Sequence, residues 1–170
     1  MNNVKINLSV EDERWTAAIA DIAAVVEKVK DAVINRVGGE VDFLSPDRQF
    51  SLNLCLSNDD EVHRLNKEFR GMDKATNVLS FAGVDDDAFG EMLASGEEVE
   101  LGDVIVAFET MEREAEELEV SFCDHFCHLW THGMLHILGY DHIEPEERAE
   151  MEQREIDILA TLQIDNPYQE

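Results

Sequence analysis

The stretch Thr131-His132-Gly133-Met134-Leu135-His136-Ile137-Leu138-Gly139-Tyr140-Asp141-His142 decides most of what this chain can be. His132 and His136 stand at i, i+4, so on a helix both imidazoles project from one face a single turn apart and reach one small cation. A third ligand cannot come from farther along the same straight helix, because a residue two turns on lies about 12 Å up the axis. The chain has to stop and turn. Gly139 supplies the stop, and His142 arrives three residues later. That spacing is the geometry of a three-histidine metal site with an open fourth position. Three neutral imidazoles suit zinc, which in catalytic sites keeps three protein ligands and a water, although nickel, copper and iron also accept such a set.

The neighbours of the trio have blander readings. His125 and His128 share a helical face and read as supporting, stacking or structural residues rather than ligands. Cys123 and Cys127 read as buried thiols of a core helix, since no second Cys/His pair stands at a distance that would complete a structural zinc site. Asp141, beside His142, either orients a ligand histidine, caps the helix end or faces solvent. The spacing matches the H-E-x-x-H-x-x-G-x-x-H pattern of the metzincin proteases except at one place. There the residue after the first histidine is a glutamate, the general base that takes a proton from metal-bound water; here it is Gly133. Hydrolysis survives that change, whereas proteolysis loses its base.

Outward from the histidines, periodicity sets the fold class. Helical patterns run over roughly 108–118, 122–138 and 145–162, the last with Pro145 in its first turn. Upstream, Val4–Leu8 and Gln49–Leu56 alternate with period two, and Thr76–Phe81 and Leu101–Ala107 read as two further strands. Ser9 and Asp12 precede one long apolar stripe, Trp15, Ile19, Ile22, Val26, Val29 and Val33, ended by Gly38-Gly39. Asn58-Asp59-Asp60 caps a short helix carrying Val62, Leu65 and Phe69. The glycine- and acid-rich stretch 83–100 reads as an exposed hairpin loop. With no repeat and no linker, the expectation is one α+β domain over residues 1–170, with a small mixed sheet of about four strands, about five helices, and the metal site on a helix of the C-terminal half and the turn after it.

The charge balance is strongly acidic: 13 Lys+Arg against 39 Asp+Glu, a net charge of −26. As an average it argues against nucleic acid, because neutralising phosphates takes a basic surface. The charge is unevenly spread, however. Arg64, Lys67, Arg70 and Lys74 crowd into eleven positions, while residues 75–112 contain no Lys or Arg. A concentrated basic patch on an acidic protein is what an anionic substrate needs, and Arg70, on the turn before the third strand, can grip a phosphate bidentately. No apolar run approaches a membrane span, no signal sequence is visible, and three cysteines without framework spacing suit a reduced cytoplasm.

Three motifs together go further. Leu65-Asn66-Lys67-Glu68-Phe69-Arg70 running into Thr76-Asn77-Val78-Leu79-Ser80-Phe81, then Leu101-Gly102-Asp103-Val104-Ile105, then the stretch from His132 to His142, resemble in this order the YbeY family of bacterial metal-dependent endoribonucleases. The likeness spans roughly residues 50 to 160. It implies a single-strand-specific endoribonuclease of ribosomal RNA maturation (the 16S rRNA 3′ end) and ribosome quality control, working in the cytoplasm with RNA and the ribosome or ribosome-associated proteins as partners. It also implies one zinc ion held by His132, His136 and His142, and matches the family's functionally important arginine to Arg70. Ser80 and Asp103, at strand ends in the matching motifs, become candidates for lining the cleft. The chain departs from the pattern at Ala82, where the family usually has proline, and in the long acidic 83–100 loop. No general base is evident, and both water and the RNA 2′-hydroxyl are compatible nucleophiles. Two other readings stay open: a zinc peptidase-like hydrolase with a base from elsewhere, and a non-enzymatic ribosome-assembly factor with a structural metal.

Overall fold

The computed structural model describes residues 3–85 and 88–168. Along the chain come strand β1 (Val4–Val10), helices α1 (Arg14–Ala18) and α2 (Ile22–Val37), strand β2 (Phe50–Ser57), helix α3 (Asp59–Arg70), strand β3 (Val78–Ala82), helix α4 (Phe89–Ala94), strand β4 (Val99–Ala107) and helices α5 (Phe108–Leu118), α6 (Phe122–Ile137) and α7 (Pro145–Thr161). The sheet has the order β1-β2-β4-β3, with β1, β2 and β4 parallel and β3 antiparallel on the edge. This is the expected α+β architecture on a four-stranded mixed sheet. The described residues form seven α-helices rather than about five.

Period-two alternation separates two apolar layers. Phe50, Leu52, Leu54 and Leu56 of β2, with Val104 and Val106 of β4, are buried in the main core with α2 and α6. The opposite face carries a smaller cluster, Val62, Leu79, Ile105 and Ala107, under α3. Helix α6 is buried on most sides, as a helix enclosed by sheet and neighbouring helices must be. Its Trp130 indole N–H donates to the Val26 carbonyl of α2 at 3.1 Å. Among the described residues no helix is long and apolar enough to cross a membrane.

Two expectations need correction. The stripe from Trp15 to Val33 faces the core throughout, but it is not one helix: the backbone leaves helical geometry at Ile19 and Asp21 takes a left-handed conformation (φ 49°). The break keeps Ile19 buried while Trp15 turns inward, its indole N–H donating to Ser57 O at 2.8 Å. The 83–100 stretch is not an exposed loop over its length either. It contains a turn of 3-10 helix at Gly83–Asp85 and then α4. Phe89 of α4 is buried edge-on against Phe43 at 5.2 Å. The Arg48 guanidinium donates to the carbonyls of Met92, Leu93 and Glu97 and so ties down the C-terminal end of α4. Asp86 and Asp87 of that stretch lie outside the described residues, as do Met1 and Asn2.

The hydrogen bonding of the edge strand has a fixed parity. The Asn77 carbonyl accepts from Ala107 N–H at 2.9 Å, and the register pairs Leu79 with Ile105 and Phe81 with Asp103. In an antiparallel ladder this points the backbone groups of Asn77, Leu79 and Phe81 at β4, and those of Val78, Ser80 and Ala82 at the free edge. A proline at position 82 would therefore cost no ladder bond; Ala82 leaves an N–H there.

Candidate metal centre

Helix α6 starts and stops where its sequence dictates. The Ser121 hydroxyl accepts from Asp124 N–H at 3.0 Å and caps the first turn. At the other end Gly139 has φ +105°, its N–H donates to His136 O at 3.0 Å, and Tyr140 N–H donates to Leu135 O at 2.9 Å. That double bond pattern around a positive-φ glycine is a Schellman stop. It reverses the chain and brings His142 back over the last turn. The three imidazoles meet there: one ligand nitrogen from each of His132, His136 and His142 lies within 4.8 Å of the others. The ring centroids are 4.7, 4.8 and 5.5 Å apart. His132 and His136 are half-buried and His142 is exposed.

The donor set fits a cation. Burial, reinforced by the nearby His132 and His142, pushes His136 down to about 4, so at neutral pH it is uncharged and has a lone pair to offer. Glu155 of α7, fully buried, accepts from His132 Nδ1 at 3.3 Å through Oε2. Its Oε1 accepts from His128 Nε2 at 2.8 Å and from the Tyr168 hydroxyl at 2.9 Å. Burial alone would raise the Glu155 carboxyl, but the hydrogen bonds from His128 and His132 outweigh it and bring the group down to about 2. A charged carboxylate at Nδ1 assigns the His132 proton to that nitrogen and leaves Nε2 free for a metal. Asp141 accepts from His142 N–H at 2.7 Å and stands 3.6 Å from His142 Nδ1.

Gly133 owes its identity to packing. A Cβ there would sit 2.8 Å from Val104 Cγ1 and 3.3 Å from Cγ2, and a β-branched side chain in mid-strand cannot swing aside. Helix α6 lies flush on β4 at this point, so the glutamate of the protease pattern has no room. Gly133→Ala is expected to destabilise the fold by about 2 kcal/mol in a urea titration, because overpacking outweighs the roughly 1 kcal/mol gained in helix propensity.

The triad opens onto a cavity of about 570 Å³ that Arg70 also lines, with Thr76, Asn77, Val78, Ser80 and Ala82 along the β3 side. Arg70 and the triad, 62 residues or more apart in the chain, thus share one cleft. Arg64 does not share it, being tied to Glu61 at 2.6 Å and Glu68 at 2.9 Å. Among the described residues Arg70 makes no ion pair, so of the basic cluster its charge is the one available in the cleft. Ser80 lines the cavity as expected. Asp103 does not line this cavity: alternation puts it on the opposite face, where it accepts from Asn53 Nδ2 at 2.9 Å, and it borders instead a neighbouring cavity that Arg70 and Ser80 also line. His125 is buried away from the triad, bonded to Glu114 at 2.9 Å; Glu114 also accepts from Asn77 Nδ2 at 2.9 Å and so steadies the start of β3. The three cysteines are free thiols, and burial pushes Cys127 up to about 12.

The motifs and their spacing do not point to Glu155 or Tyr168. Glu155 had a signal, an acid within the apolar helical spacing of Met151, Ile158 and Leu159. Tyr168, in the C-terminal segment beyond α7, had none.

Comparison with known proteins identifies the family. The profile of the family described as Endoribonuclease YbeY matches residues 8–163. The protein named Endoribonuclease YbeY of Paramagnetospirillum magneticum is 42% identical over 167 residues, covering 98% of this chain and 97% of that relative. Its namesake in Agrobacterium fabrum is 41% identical over 168 residues, covering 99% and 96%. The solution structure of TM1509 from Thermotoga maritima superimposes with a TM-score of 0.56 at 21% identity, covering 98% of this chain and 96% of that one, which speaks for the fold. A profile match over nearly the whole length, and relatives above 40% identity, place the chain in the YbeY endoribonuclease family.

Proposed function

We propose that this protein is a zinc-dependent endoribonuclease that cuts single-stranded RNA, acting in the cytoplasm on ribosomal RNA (the 16S 3′ end) and in ribosome quality control. The observation that carries the reading is the shared cleft: the Arg70 guanidinium, without an ion pair among the described residues, and a three-imidazole donor set line one cavity. Relatives named endoribonuclease support it. The flush packing at Gly133 counts against the peptidase alternative, and a donor set of three opening on a cavity counts against a structural metal, which takes four protein ligands.

His132, His136 and His142 would hold the ion. When bound, zinc supplies a Lewis acid for a phosphoryl oxygen and lowers the pKa of a coordinated water. The chain's own groups do the rest. Glu155 keeps the His132 proton on Nδ1 and fixes the ring's direction. Arg70 binds the non-bridging oxygens of the scissile phosphate and stabilises charge that grows there as the bond breaks. The acidic surface repels phosphate outside the cleft, so RNA affinity is weak without a docking partner such as the ribosome, and arbitrary duplexes are held poorly.

The test is cleavage of a single-stranded ribosomal RNA fragment by purified protein before and after chelation. Cutting that stops on chelation, returns with zinc and spares duplex RNA is the expected result; cutting indifferent to chelation, or cutting of peptides instead, overturns the reading. Product ends assign the nucleophile, since a 2′,3′-cyclic phosphate means attack by the ribose hydroxyl. Glu155→Gln, which keeps the shape but removes the charge facing His132, is expected to weaken zinc affinity about 10–100-fold in a competition titration with a chromogenic chelator.

A further inference from the structure

The cleft is far larger than a phosphate, and its lining is of two kinds. Part is aromatic and apolar: Tyr168, His128, Leu129 and Ile143. Part is β3, whose free-edge groups at Val78, Ser80 and Ala82 alternate donors and acceptors along the strand.

Tyr168 is held in a particular way. Its hydroxyl donates to Glu155 Oε1 at 2.9 Å and lies 3.2 Å from His128 Nε2. Its ring stands at 90° to the His128 ring with centroids 5.4 Å apart. The polar end is thus anchored to a buried carboxylate, while the residue remains 41% exposed and borders the cavity. An aromatic ring fixed at one end and open at the other is pre-ordered for stacking. Stacking on such a ring suits an unstacked nucleobase, which every single-stranded RNA can offer and a duplex cannot.

We propose that Tyr168, steadied by Glu155 and His128, forms a stacking subsite for one unpaired nucleobase next to the triad, with the free edge of β3 as its hydrogen-bonding wall. This subsite rests on the endoribonuclease reading and supplies its preference for single strands: an unpaired base enters, whereas a paired one is already stacked and turned inward.

The test is fluorescence-anisotropy binding of two non-cleavable probes to the full chain, a labelled 2′-O-methyl hexa-adenylate and its analogue lacking the two central bases. The wild type is expected to bind the complete probe roughly tenfold more tightly than the abasic one. Tyr168→Ala is expected to erase that difference by weakening the complete probe alone, and Tyr168→Phe, which keeps the ring, to retain most of it. An equal loss for both probes in Tyr168→Ala, or no loss at all, overturns the subsite. Cleavage is scored separately on a native strand. Base-dependent binding without chelator-sensitive cleavage sinks the enzymatic reading and keeps the subsite; cleavage without base-dependent binding does the reverse.

Discussion

His136→Ala is expected to keep its fold and lose its metal. His136 sits between the other two imidazoles, with ring centroids 4.7 Å from His132 and 4.8 Å from His142, so its removal takes away the middle ligand. Disturbing a mere supporting hydrogen bond costs about 10–100-fold in affinity; deleting a ligand costs more than that range. Stability should hardly change. The residue is half-buried at a cavity wall, and at neutral pH its ring is already uncharged, because burial and its two neighbours push its pKa down to about 4. Zinc content by elemental analysis after dialysis, with a urea melt as control, checks both halves. A variant that folds and retains one zinc per chain would move the metal elsewhere.

Arg70→Ala is the complementary case: metal kept, cleavage lost. Arg70 is exposed at the end of α3 and makes no ion pair among the described residues, so neither the fold nor the triad depends on it. Removing a group that meets charge as it develops typically costs about 10²–10³ in rate, and RNA cleavage is expected to fall by that much at unchanged zinc affinity. Arg70→Lys should recover only part, since an ammonium keeps the charge but not the two-pronged grip on phosphate. Single-turnover cleavage beside a zinc titration measures the split. Full activity in Arg70→Ala would strip the residue of its role.

Much of this molecule was legible because local signals and tertiary need coincided. Alternation in Phe50–Leu56, the cap at Asn58 and Pro145 in the first turn of α7 name elements that the fold then uses. The histidine spacing was legible because a helix repeat and a glycine stop are local facts. What stayed hidden depends on partners distant in sequence. The break at Ile19–Asp21 leaves the apolar stripe intact, so periodicity alone cannot see it. Helix α4 exists because Phe43 and Arg48, some forty residues upstream, receive and pin it. The face that Asp103 takes follows from register, which no motif states. Glu155 needed α7 to be laid against α6 before its partners were known.

The stop at Gly139 divides the triad mechanically. Two ligands ride half-buried on the most enclosed helix of the molecule, and a buried carboxylate already holds the ring of one of them, His132. The third rides on exposed chain just past the turn. The ordering entropy of capturing an ion therefore falls most heavily on one residue, the exposed His142. Such a centre works as a fixed anvil with a hinged clasp: the pair sets where the ion sits, and the clasp sets how readily it comes and goes.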